Sequence, residues 1–126
     1  MSRVFLENAD LSGADLSHAD LNRAALSQAD LSGAVLFYAD LSDAGLVGAN
    51  LAEANLYGAD ISKITGWQSI KSIRYANIYG VKSPPNGFEE WAEKHGAVSI
   101  ENQQEWINLI RKEKQEQTKE KTGDKR

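Results

Sequence analysis

Asp15, Ser17 and His18 stand almost side by side, and acid, hydroxyl and imidazole are the three side-chain types of a nucleophile with its base and orienting group. Neighbours on an extended outer surface point in different directions, and no pocket or oxyanion donor is implied around them, so the trio is not expected to act on a substrate. The only two histidines, His18 and His95, lie far apart in the chain, and cysteine is absent, which leaves no thiol nucleophile and a poor donor set for a metal. The sequence therefore points to no catalytic, cofactor-binding or metal-binding residues, and the protein is not expected to be an enzyme.

Two other patterns are more informative. Asp20, Asp40 and Asp60 recur at an interval of twenty, and so do Phe37 and Tyr57, with Val35, Tyr38 and His18 beside them. If twenty residues bring the chain back over itself, the carboxylates form a ladder whose members repel by somewhat under ~1 kcal/mol per pair in water. Arg23 and Lys63, with backbone donors, are the expected answer to that repulsion; a cation or basic partner is the alternative. In the same register Phe37 stacks on Tyr57, at outward positions where most other copies carry serine. That apolar cluster is the expected docking surface.

What must position these residues is a five-residue beat. Leucine or isoleucine stands at Leu11, Leu16, Leu21, Leu26, Leu31, Leu36, Leu41, Leu46, Leu51, Leu56 and Ile61, each preceded two places earlier by alanine, from Ala9 to Ala59. Eight of the eleven have Asp or Asn between. A helix would spray such residues round its cylinder, and a flat strand would alternate them between faces. A solenoid that turns a corner every five residues points each leucine and each alanine to one axis. Residues 9–28 and 29–48 agree at twelve of twenty positions, so the coil repeat is twenty residues with four sides.

Residues 4–62, extending to 82, resemble the pentapeptide-repeat family through this Ala-(Asp/Asn)-Leu motif. The resemblance implies an all-β solenoid: a right-handed quadrilateral β-helix, here of about three and a half coils with a short C-terminal helical cap. It says little about function, because characterised members differ. The segment from Ile73 to Gly96 also resembles, more weakly, a stretch that follows the repeats in some bacterial members.

The net charge of −4 is unevenly spread. Residues 1–62 carry nine acids against Arg3 and Arg23, while residues 63–126 carry nine acids and twelve bases, so an acidic rod precedes a mildly basic end. No apolar run approaches the ~20 residues of a membrane span, nothing near Met1 reads as a signal peptide, and a cytoplasmic location is expected.

Along the chain, Val4 and Leu6 already occupy inward places, leaving a first coil that Phe5 with Arg3, or another molecule, would have to cover. After Ile61 the next centres are Ile73 and Ile78, an interval that places two inserted residues around Thr65–Ser69. Thr65-Gly66-Trp67-Gln68 reads as a capping box before one helical turn aiming Trp67 and Ile70 at the core. Pro84-Pro85 ends the rod, Asn86 is the expected cap of a helix carrying Phe88, Trp91, Ala92 and His95, and Gly96 stops it. Ala97–Ile100 reads as an extended link, and Asn102 to Glu105 as the capping box of a second helix with Trp106, Ile107, Leu109 and Ile110 on one side. The expected divisions are a repeat rod over 1–83, a helical cap over 84–116 and a disordered tail over 117–126.

The function expected is that of a non-catalytic scaffold or protein-interaction module, with Val35, Phe37, Tyr38 and Tyr57 as the docking surface and Asp20, Asp40 and Asp60 as an acidic ladder. Its second helix is expected to fold back over Phe37 and Tyr57 or to cross to a neighbouring copy, and a homodimer through a rod end or the C-terminal helices is one arrangement. Neither direct nucleic-acid binding nor membrane association is expected. The alternative is a DNA mimic, since the resemblance includes members that inhibit or protect DNA gyrase. B-DNA carries one charge per ~1.7 Å, which three coils nearly match in density, but one duplex turn of ~34 Å is more than twice their length.

Overall fold

The structure is a computed structural model and describes residues 3–122. Each five-residue unit contributes one short extended step and one tight corner. At each corner the leucine carbonyl accepts a hydrogen bond from the amide of the next alanine, as in Ala14 N to Leu11 O at 3.1 Å and Ala39 N to Leu36 O at 3.0 Å. The residue before that alanine takes a left-handed conformation at corner after corner, from Asn8 with φ 62° to Glu53 with φ 60°. This is the dihedral signature of a type II turn, normally given to glycine. Here Arg23, Gln28 and Tyr38 hold it as well, with φ 64°, 63° and 56°, so the stacking of coils enforces a conformation their side chains disfavour.

The coils pair through parallel bridges twenty residues apart, which define four sides. Side A holds Phe5, Ala25, Gly45 and Thr65; side B holds Asp10, Asp30, Asn50 and Ser72. Side C holds Asp15, Val35, Asn55, Asn77 and Val98, and side D holds Asp20, Asp40, Asp60 and Lys82. Each rung is a single bridged residue flanked by two backbone bonds, as in Leu11 N to Asp30 O and Asp30 N to Ala9 O, both 2.8 Å. Extended stretches this short are why no continuous strand forms among the described residues although the pairing is regular. Between the bridges Gly45 to Thr65 and Asn50 to Ser72 the step grows from twenty to twenty-two, which locates the two inserted residues at the 3-10 turn Trp67–Ser69.

Alanine and leucine fill the axis. Leu26, Leu31, Leu36 and their alanines are fully enclosed, while Leu6, Leu11 and Leu16 of the first coil are only partly covered. Phe5 is 70% exposed with the Arg3 guanidinium 5.9 Å from its ring, so that pair does not close over the first coil. At the other end α1 (Phe88–Lys94) drives Phe88 and Ala92 into the core, where Trp67 and Trp91 pack around Phe88 with centroids 5.6 and 6.3 Å away. This caps the last coil.

Several details depart from the sequence reading. Every side has four rungs and side C a fifth, so the winding is longer than three and a half coils. The fifth rung is Val98, in the stretch read as a plain link: its amide bonds to Ala76 O at 2.8 Å and its carbonyl accepts from Ile78 N at 2.8 Å. Neither Thr65 nor Asn86 caps a helix; the cap positions are the left-handed glycines Gly66 and Gly87, with no side-chain bond. Asn102 does cap, its Oδ1 accepting from Glu105 N at 3.0 Å. From there α2 (Gln103–Thr122) continues past residue 116, where a disordered tail was expected. Glutamate, glutamine and lysine are good helix formers even with nothing to bury, and Gln117 Nε2 donates to Glu113 Oε2 at 3.3 Å one turn back. Residues 123–126 of the expected tail lie outside the described residues.

Candidate interaction surface

The aromatic residues gather at the corner that follows side C. Phe37 and Tyr57 stack with centroids 5.0 Å apart and planes within 19°, and Tyr79 continues the row 5.4 Å beyond Tyr57. The twenty-residue register anticipates the Phe37–Tyr57 pair; Tyr79 is missed because the insertion shifts it to a step of twenty-two. A second row stands outside the first. His18 stacks on Tyr38 at 5.6 Å, and Tyr38 meets Phe37 and Tyr57 edge to face at 4.8 and 6.0 Å. Tyr38 is 43% exposed, and Phe37, Tyr57 and Tyr79 are half-buried, largely by one another. Burial, then the neighbouring Tyr38, pushes the Tyr57 phenol above its ordinary value. Val35 sits in the middle of side C between Asp15 and Asn55.

Two residues beyond Tyr38 comes Asp40, so the acidic ladder of side D runs alongside the aromatic rows. Asp20, Asp40 and Asp60 occupy consecutive rungs. Each Oδ1 accepts from the amide two residues on, that of Asn22, Ser42 or Ser62, at 3.1, 3.0 and 3.0 Å. Ser42 Oγ adds a 2.6 Å bond to Asp40. Arg23 and Lys63 do not form the expected ion pairs; among the described residues no base pairs with the ladder, and its charge is met by backbone amides. Lys82, the next residue of side D, instead places its Nζ 5.7 Å from the Tyr38 ring centroid.

The same device appears at Asp10, Asp15 and Asp30, where a serine hydroxyl and then its amide, two residues on, hold the carboxyl below its ordinary value. Ser17 Oγ thus donates to Asp15 Oδ1 at 2.7 Å while the His18 ring lies on Tyr38. No hydrogen bond joins that hydroxyl to the imidazole among the described residues. His95 stacks on Trp91 at 4.4 Å, and no cluster suited to a metal ion occurs among the described residues. No helix there is long and apolar enough to cross a membrane.

The second helix does not cover Phe37 and Tyr57. Its contacts lie at the corner before side C, at the other end of that side from the aromatic corner. Trp106 is buried and donates from Nε1 to Tyr75 O at 2.8 Å. Gln103 Oε1 accepts from Asn55 Nδ2 at 2.7 Å, and Lys114 pairs with Glu53 at 3.3 Å. Glu113 accepts from the Tyr75 hydroxyl at 2.9 Å, which raises that phenol's pKa, and meets Arg74 at 3.6 Å. These partners were invisible in the sequence because Tyr75, Arg74 and Glu53 follow no beat that marks them as a dock.

Compared by sequence with curated proteins, the chain matches none. Among solved structures it is similar to Rfr23, a pentapeptide repeat protein of the cyanobacterium Cyanothece 51142, at 30% identity and a TM-score of 0.48, over 79% of this chain and 58% of that one. A pentapeptide repeat protein of the Arabidopsis thaliana thylakoid lumen is 25% identical over 79% of this chain and 81% of its own, with a TM-score of 0.41. HetL, a pentapeptide repeat protein involved in heterocyst differentiation regulation in Nostoc sp. strain PCC 7120, is 34% identical over 75% of this chain and 35% of that one, with a TM-score of 0.28. The sequence profile of pentapeptide repeats matches residues 1–28 and 29–64 in eight copies, just over half the chain, and on that match the chain belongs to the pentapeptide repeat family.

Proposed function

We propose that this protein is a non-catalytic interaction module, a short right-handed four-sided β-helix that presents the Phe37–Tyr38–Tyr57 corner to a protein partner. The observation that carries the reading is the double aromatic row outside the rod, with Tyr38 43% exposed and α2 docked elsewhere. A solenoid core needs no aromatic residues at its corners, and contiguous exposed apolar surface rimmed by polar groups is characteristic of binding sites. Enclosed backbone bonds on every rung hold these rings in fixed positions, which lowers the ordering cost of binding.

The DNA-mimic alternative meets a limit of size. Three carboxylates on consecutive rungs span about 10 Å, against ~34 Å for a duplex turn.

The reading is tested by placing a photoreactive benzoylphenylalanine at position 38, and separately at the corner position 28 on another side, in the source cell. A discrete protein adduct from position 38 alone is expected. Adducts of equal yield and pattern from both positions, or none from position 38, would contradict it.

A further inference from the structure

Resting on that reading, we propose that the partner segment is basic: an extended peptide whose arginine or lysine side chains lie between the Tyr38 corner and the Asp20–Asp40–Asp60 row. Three observations converge. The stacked rings of His18 and Tyr38 stand outside the rod, both exposed, beside a row of carboxylates on consecutive rungs. Each carboxylate bonds a backbone amide through Oδ1 only, and no described base pairs with any of the three. The chain itself shows how a cation uses this surface, for Lys82 Nζ lies 5.7 Å from the Tyr38 centroid rather than in an ion pair with neighbouring Asp60.

Charge complementarity selects the occupant. An apolar segment would strip water from the second oxygens of three carboxylates without replacing it, and an acidic segment or nucleic acid would meet like charge. Guanidinium and ammonium groups satisfy both neighbours, binding carboxylate oxygens at their edges and aromatic faces above them. The dimensions agree. Alternate side chains of an extended peptide lie ~6.8 Å apart, and the row offers two intervals of ~4.8 Å, so two basic side chains fit along it.

The experiment titrates the full chain with nona-arginine and nona-glutamate, using calorimetry at low salt and charge-matched variants on two sides of the rod. Binding of nona-arginine but not nona-glutamate is expected, weakening as salt rises. Asp40→Asn and Tyr38→Leu should each reduce affinity about fivefold, as expected for one exposed carboxylate or cation–π contact. Tyr38→Leu retains an apolar cover on the corner while removing the π face. Asp30→Asn, the same charge change on side B, should stay within about twofold. Lys82→Gln, which removes the internal competitor, should tighten binding about twofold or more, whereas Lys71→Gln beside Asp30 should not. Equal effects of the two Asn variants and of the two Gln variants would mean diffuse attraction to an acidic rod and overturn the proposal. So would an unchanged affinity in Tyr38→Leu. If position 38 still yields a cellular adduct after such a result, the docking corner stands and only the basic partner falls.

Discussion

Asn77 grips Ile100 by both of its backbone polar groups: Nδ2 donates to the Ile100 carbonyl at 2.9 Å, and Oδ1 accepts from its amide at 3.1 Å. The same Oδ1 accepts from the Tyr79 amide at 3.1 Å, and the side chain is 0% exposed. This clasp fixes the chain as it leaves the fifth rung and so sets where α2 begins. Asn77→Ala would leave these groups unpaired, and at about 1–3 kcal/mol for each buried group the expected loss in urea unfolding is about 2–4 kcal/mol. A loss below about 0.5 kcal/mol would show that the clasp is not what holds the rung.

The Tyr38 ring packs against Gly58, whose φ is 70°; a Cβ there would sit 2.6 Å from Tyr38 Cδ1. Gly58→Ala must therefore both strain its own backbone and displace the ring. A destabilisation of about 1–3 kcal/mol is expected, and a double-mutant cycle with Tyr38→Ser should recover part of it. Additive losses would show that the ring moves aside freely.

The repeat made the rod legible: an alanine-leucine beat at a period of five has one packing solution, and the twenty-residue interval paired Phe37 with Tyr57 correctly. The insertion between Thr65 and Ser72 could be counted, yet not its effect on Tyr79, because a change of register is a property of pairing. Val98 was unreadable as a rung, since one bridged residue after a helix has no periodicity. The dock of α2 was missed for a similar reason. Reach and apolarity say that a helix can fold back, whereas the corner it chooses depends on Tyr75, Glu53 and Asn55, none of them apolar markers.

Trp106 is the one buried side chain of α2 among the described residues and also bonds Tyr75 O. Trp106→Ala should release the helix while leaving the rod folded. Amide exchange over residues 103–122 is expected to accelerate at least tenfold, corresponding to more than about 1.4 kcal/mol of local stability, with rates in residues 24–61 unchanged. Unchanged exchange in α2 would place its anchorage in the polar contacts instead.

The Asp10, Asp15 and Asp30 carboxyls lie below their ordinary value of 3.8 because Ser12, Ser17 and Ser32 bond them in the folded chain. A depressed folded pKa stabilises the fold above the unfolded value and is lost as pH falls through the folded one. The melting temperature should thus be level near neutrality and drop below about pH 4, and Ser12→Ala, Ser17→Ala and Ser32→Ala together should flatten that drop. An acid limb unaltered by the triple substitution would assign it to other groups.

The corner register points Leu36 to the axis at 0% exposure and leaves the next residue, Phe37, outside. The direct measurement compares Leu36→Lys with Phe37→Lys by circular dichroism and urea unfolding. Lysine at 36 would place an uncompensated charge in a dry core and should abolish cooperative unfolding, while lysine at 37 should keep the β-helix signal and cost about 1–2 kcal/mol of aromatic stacking. A folded Leu36→Lys protein, or loss of the fold in both, would contradict the register and the aromatic corner built upon it.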